Sequence, residues 1–132
     1  MCLFCACRMQ GTRSLSAKSA YLGVLPKEIG LLGDNLPEEL TPGNMHWSRG
    51  TPTLMPSQII KALEVASYRN LPAAEDLEFC LEIDPEETGL KQVEALAEAG
   101  MTRACIGIQG FDPEIQHSIG RSQGLEVTRG AA

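Results

Sequence analysis

The stretch DLEFCLEIDPEETGLKQVEALAEAGMTRACIGIQ, residues 76–109, carries a whole strand–helix–strand unit. Residues 76–84 alternate apolar and polar side chains and stop at Pro85, the period-2 pattern of a strand. Leu90, Val93, Leu96 and Ala97 then recur at helical spacing, and Gly100 supplies a helix stop. RACIGIQ, residues 103–109, predicts the next strand. Two strands joined through a helix of this length pair in parallel by a right-handed crossover.

The same alternation extends outward. MHWSRGTPT (45–53) predicts a short strand broken at Gly50 and Pro52. PSQIIKALEVASY predicts a helix with Pro56 in its first turn and Ile59, Leu63 and Ala66 on one face. Downstream, DPEIQHSIG predicts a helix capped by Asp112 with Pro113 at its first position, and another helix begins at LEVTRGAA. The fold class is therefore α/β, with about three parallel strands and intervening helices.

The strand faces differ in chemistry. Leu77, Phe79, Leu81 and Ile83 point one way, and Glu78, Cys80, Glu82 and Asp84 the other. On the next strand Ala104, Ile106 and Ile108 oppose Arg103, Cys105, Gly107 and Gln109. A parallel sheet sandwiched between helices reads apolar throughout; here one face is polar or small, as on a concave sheet lining a ligand cavity. Gly50, Thr51, Glu82 and Gln109 fall at the carboxyl edge, where α/β folds bind ligands. Cys80 and Cys105 are expected to be small buried strand residues. Trp47 is expected under a helix, His46 as a packing residue before a turn, and His117 in solvent.

The first 44 residues are less regular. Tyr21, Leu22, Leu25, Ile29 and Leu32 scatter helically, but Gly23, Pro26, Gly30 and Gly33 interrupt them, which predicts a kinked, broken or weak helix. LPEELTPGN (36–44) reads as a surface connection. The net charge of −6 offers no basic footprint for nucleic acid. No apolar run reaches a membrane span, and the N-terminus lacks a signal-peptide pattern, so a cytoplasmic protein without membrane partners is expected. In that compartment the cluster Cys2, Cys5 and Cys7 suits a metal or redox role better than structural disulfides. Zinc would need a fourth ligand from His46, Cys80 or Cys105. A redox C-x-x-C normally follows a strand, and iron–sulfur clusters take thiolates.

Taken in order and spacing, CLFCACRMQGTRSL, HWSRGTPT, EIDPEET and MTRACIGIQGFDPEIQHSIGRSQ resemble the oxygen-independent coproporphyrinogen III oxidases. These are radical S-adenosylmethionine enzymes of haem biosynthesis. The resemblance implies a partial (β/α) barrel holding a 4Fe–4S cluster and S-adenosylmethionine, in a family expected to be monomeric. It implies an oxidoreductase whose cluster, reduced by an unnamed electron donor, cleaves S-adenosylmethionine to a 5′-deoxyadenosyl radical. That radical takes hydrogen from propionates of coproporphyrinogen III, which lose CO₂ to become the vinyl groups of protoporphyrinogen IX. Position by position, the resemblance makes Cys2 and Cys5 the second and third cluster ligands and Cys7 an accessory cysteine. Phe4 matches a position near the adenine. Gly50 and Thr51 match the end of a glycine-rich turn supporting the S-adenosylmethionine amino group. Glu82, Gln109 and Arg121 match positions contacting its polar groups.

The C-x-x-C-x-C pattern favours the decarboxylating enzymes over haem-chaperone-like relatives, which carry C-x-x-C-x-F. A small zinc- or haem-binding protein built on the cysteines is the alternative from another class. The family's first cluster cysteine falls four residues before Cys2, Ser48 and Arg49 replace turn glycines, and Gly110 replaces an acidic residue. The chain is therefore expected to be one incomplete core domain truncated at both ends, inactive by itself. Its parts would be a cluster loop (1–15), a weak helix and connection (16–44), and βα units (45–132).

Overall fold

The computed structural model describes Leu3 and residues 15–37 and 39–132. Cys2, Phe4, Cys5 and Cys7 therefore lie outside the described residues. Among the described residues the order is α1 (Leu15–Gly33), β1 (Asn44–Trp47), α2 (Ser57–Asn70), β2 (Glu78–Ile83), α3 (Leu90–Glu98), β3 (Arg103–Ile106), α4 (Pro113–Ile119) and α5 (Leu125–Ala131). The strands form a parallel sheet in the order β1-β2-β3. This is the α/β arrangement the alternating pattern predicts. Strands end earlier than expected: β1 at Trp47 and β3 at Ile106, leaving Gln109 in the loop that follows. No described helix is long and apolar enough to cross a membrane.

The apolar face of β2 forms the core. Phe79, Leu81 and Ile83 pack with Ile60 of α2 and with Ala95, Leu96 and Ala99 around α3. Trp47 meets Phe79 edge-on, ring centroids 5.0 Å apart and planes at 65°, a favoured aromatic geometry. Helix faces are displaced from the sequence expectation. In α2 the buried residues are Ile60, Leu63 and Ser67, because the helix packs against both the sheet and α1. The Ser67 hydroxyl donates to the Leu63 carbonyl at 2.8 Å, which permits its burial. In α3 the buried residues are Ala95 and Leu96, while Leu90 is 80% exposed and Val93 and Ala97 also face solvent. Leu96, with Ala95 and Ala99, forms the face that α3 turns to the core.

α1 runs unbroken through Pro26, so of the kinked, broken or weak helix expected, the break does not occur. Its glycines serve packing. A Cβ on Gly33 would lie 2.6 Å from the Asn70 carbonyl oxygen, and one on Gly30 would lie 3.8 Å from Asn70 Oδ1. The C-terminal end of α1 thus approaches the end of α2 at a distance only glycine allows. Gly33→Ala is expected to destabilise the fold by about 1–3 kcal/mol through overpacking, read as a lower urea midpoint. Gly23→Ala, with open space around it, is expected to be neutral or stabilising by up to about 1 kcal/mol, as a helix interior prefers Ala.

α4 forms as its capping signals predict. Asp112 Oδ1 accepts from the Glu114 and Ile115 amides at 2.9 and 3.1 Å, Pro113 follows, and Gly120 ends the helix at φ 65°. His117 is exposed, as expected.

Candidate functional site at the carboxyl edge of the sheet

The turn after β1 departs from ordinary backbone geometry. Arg49, Gly50 and Thr51 have φ of 63°, 70° and 59°, a run in the left-handed region that disfavours non-glycine residues. Two anchors hold it. The Arg49 amide donates to Glu82 Oε2 at 3.2 Å, and Pro52 and Thr53, directly after the turn, are buried. Thr88 Oγ1 lies 2.7 Å from the Asp84 carbonyl oxygen and 2.8 Å from Thr53 Oγ1. The carbonyl only accepts, so Thr88 donates to it and Thr53 donates to Thr88. Arg49 does not crowd the turn: it takes the left-handed conformation itself and is exposed, and a Cβ on Gly50 would meet nothing within 4 Å. Among the described residues, the outer side of the turn is open.

Glu82 stands near the end of β2 on the polar face, exposed, with its carboxylate bound to the turn. The structure therefore brings three predicted residues together, Gly50, Thr51 and Glu82, through the amide of Arg49.

A second group forms beyond β3. Arg121 Nη2 donates to the Gly107 carbonyl at 3.1 Å, and its Nε donates to Gln123 Oε1 at 2.9 Å. A Cβ on Gly107 would lie 3.4 Å from Gln109 Nε2 and 3.8 Å from Arg121 Nη2, so Gln109 and Arg121 converge over Gly107. Gln123 is buried and fixes Arg121 from behind. Its amide donates to Gln116 Oε1 at 3.0 Å and its Nε2 to Thr128 Oγ1 at 3.1 Å. Gln116 Nε2 in turn donates to the carbonyls of Gly110 and Gln123 at 2.9 and 2.7 Å. Neither Gln116 nor Gln123 stands out in the sequence, because no local periodicity links a helix residue to a loop residue seven positions later. The shared hydrogen bonds are what reveal them.

Among the described residues, the buried Gln109 Oε1 has no hydrogen-bond partner. Such an orphan acceptor costs about 1–3 kcal/mol, which marks it as a group awaiting a donor. Gln109→Met is expected to leave the urea midpoint unchanged or to raise it by the equivalent of up to about 1 kcal/mol, while weakening whatever ligand donates to that oxygen. A lowered midpoint would mean that Gln109 serves the fold.

Cys80 and Cys105 share the polar face: register pairs Cys80 with Arg103 and Glu82 with Cys105. Their sulfurs lie 3.1 Å apart. Cys80 is buried as expected, but Cys105 is only half-buried. The hydrogen bond to Cys80, then burial, holds the Cys105 thiol above its usual range. A cavity of about 790 Å³ opens between α1 and the turn, lined by Arg49, Gly50 and Thr51 of the turn together with Leu22, Leu25, Ile29, His46 and Ile59 among others. His46 is exposed there and not packed as expected. Glu82, Gln109 and Arg121 do not line this cavity. Among the described residues no cluster of three His, Cys, Asp or Glu side chains is placed to hold a metal.

Residues 1–131 match the family model of the radical SAM superfamily. The chain belongs to the radical SAM superfamily. Within it, the chain is 47% identical over 99% of its length to the oxygen-independent coproporphyrinogen III oxidase of Paracoccus denitrificans, covering 29% of that protein. It is 33% identical to the enzyme of that name in Bradyrhizobium diazoefficiens over 97% of its length, covering 28% of the relative. The solved structure of coproporphyrinogen III oxidase (HemN) from Escherichia coli, described as a radical SAM enzyme, matches 98% of the chain and 30% of its own, with a TM-score of 0.89 and 29% identity. The chain thus spans less than a third of the length of these relatives, and its open three-stranded sheet is part of the radical SAM fold.

The radical SAM family implies S-adenosylmethionine and a 4Fe–4S cluster, and the described site suits the first. A ligand with an amine, a carboxylate and ribose hydroxyls matches a carboxylate at Glu82, an orphan acceptor at Gln109 and a guanidinium at Arg121. The cysteines proposed for the cluster lie outside the described residues. Leu3, next to Cys2 in sequence, donates its amide to the Ile119 carbonyl at 2.7 Å, two residues before Arg121.

Proposed function

We propose that this chain carries the cofactor side of an oxygen-independent coproporphyrinogen III oxidase. The reaction class is oxidative decarboxylation, in which a propionate loses a hydrogen atom, an electron and CO₂ to leave a vinyl group. The observation that carries the reading is the orphan acceptor of Gln109 beside Arg121, at the carboxyl edge of a sheet whose Glu82 already braces a left-handed turn. The relatives' names supply the substrate, coproporphyrinogen III.

In this reading Arg121 pairs with the carboxylate of S-adenosylmethionine, held in place by Gln123. Glu82 and Gln109 accept from its hydroxyl or amino groups. Gly50 and Thr51 offer backbone beside the amino group, and Phe4 lies near the adenine. Cys2 and Cys5 ligate the 4Fe–4S cluster, with Cys7 as an accessory thiol. When bound beside a reduced cluster, S-adenosylmethionine supplies the hydrogen-abstracting radical chemistry for which the family is named. The protein's own part is to bind, orient and exclude water. The binding unit is the segment from residue 45 to residue 132, joined to the proposed cluster loop at 1–15 through residues 16–44.

Anaerobic equilibrium dialysis of the chain, after reconstitution with iron and sulfide, tests the reading. It predicts saturable, single-site binding of S-adenosylmethionine, displaced by S-adenosylhomocysteine and not by ATP at the same concentration. Equal displacement by ATP, or no saturable binding, would overturn it.

A further inference from the structure

Two thiols on the site face of the sheet have no part in the cofactor reading. Cys80 and Cys105 come from neighbouring strands, lie on one face by register, and place their sulfurs 3.1 Å apart. Packing explains Cys80, which is 1% exposed, since a free cysteine behaves as a small hydrophobe. It does not explain Cys105, which is only half-buried, on a face that also carries Asn44, His46, Glu78, Glu82 and Arg103. Nor does packing alone account for two sulfurs from diagonal positions meeting at 3.1 Å.

We propose that Cys80 and Cys105 form a reversible dithiol–disulfide site that a hydroperoxide oxidises, with Cys105 as the thiol that attacks the peroxide and Cys80 as the resolving one. The roles follow from exposure. Among the described residues Cys105 is half-buried on the polar face and Cys80 is covered. Because the Cys105 thiol is held above its usual range, its attack is expected to be slow at neutral pH and to speed up as pH rises. In the first step Cys105 Sγ attacks the terminal peroxide oxygen. An S–O bond forms, the O–O bond breaks, and the thiol proton leaves with the alcohol, giving Cys105 sulfenic acid. In the second step Cys80 Sγ attacks the Cys105 sulfur. An S–S bond forms, the S–O bond breaks, and the departing hydroxide takes the Cys80 proton as water. Two thiols lose two electrons, and one hydroperoxide becomes an alcohol and water. A disulfide S–S bond is about 2.05 Å long, so the sulfurs must close by about 1 Å, within reach of side-chain rotation and a small strand shift.

Arg103 borders the pair: it is the register partner of Cys80, and its Nη2 lies 2.9 Å from Glu78 Oε1. Because Glu82 is the register partner of Cys105, the disulfide would form alongside the carboxylate that braces the turn.

The test uses the full chain, reduced and desalted under argon, then given one equivalent of tert-butyl hydroperoxide and quenched with N-ethylmaleimide. Trypsin places Cys80 in the peptide 70–91 and Cys105 in the peptide 104–121. The expected result is a mass-spectrometric species joining these two peptides, released by dithiothreitol. In Cys80→Ser the expected result is a Cys105 sulfenic acid trapped by dimedone. Recovery of both peptides carrying N-ethylmaleimide while the hydroperoxide is consumed, or links only to Cys2, Cys5 or Cys7, would overturn the proposal. Should Cys80→Ser fail to fold, the peptide map of the unaltered chain decides alone.

Discussion

Phe79→Ala is expected to destabilise the chain by about 3–5 kcal/mol, the largest effect of any single substitution in this fold. Phe79 is fully buried on the central strand, between the helices and the ring of Trp47. Its removal takes out the largest buried side chain of the core and an edge-on aromatic contact, and the hole borders fixed strands that do not collapse readily. Native domains hold only about 5–15 kcal/mol in total, so urea titration should show the midpoint falling by roughly a fifth or more. The matching control is Leu90→Ala. Helical spacing assigns Leu90 to the buried face of α3, but it is 80% exposed, and its loss should change stability by no more than about 0.5 kcal/mol. Comparable effects from both substitutions would mean that α3 is rotated from the described orientation.

Glu82→Gln is expected to weaken S-adenosylmethionine binding by about 10- to 100-fold, the loss of one charge-assisted hydrogen bond at about 1.5–3 kcal/mol. The change preserves shape, and the amide oxygen still accepts from the Arg49 amide, now 3.2 Å from Oε2, so the turn should persist. Far-ultraviolet circular dichroism and the urea midpoint should therefore stay close to those of the unaltered chain while affinity, read by calorimetry, falls. An unchanged affinity would remove Glu82 from the site. A collapsed fold would make the carboxylate a structural brace alone.

Much of this architecture is legible in residues. The alternation in 76–84 and the Asp112–Pro113–Gly120 punctuation fix strand and helix types, since period and capping are local properties. The polar face follows from the same alternation, and it is where Glu82, Cys80 and Cys105 stand together. What stays hidden is set by partners distant in sequence. Gly33 reads as a breaker until Asn70 is seen against it. Leu90 and Val93 read as core until Ala95 and Leu96 are seen to be the buried residues of α3. Gln109 reads as a strand residue, yet the strand ends at Ile106. Its significance comes from one unpaired oxygen, which no spacing rule exposes. Gln123 acts only through bonds to Arg121, Gln116 and Thr128.

Amide chemical-shift mapping during an S-adenosylmethionine titration tests most directly whether the carboxyl edge is the cofactor half-site. The account predicts perturbations concentrated at Arg49, Gly50, Thr51, Glu82, Gln109 and Arg121, with the amides of α1 undisturbed. Perturbations centred on Leu22, Leu25, Ile29 and Ile59, around the 790 Å³ cavity, would contradict it.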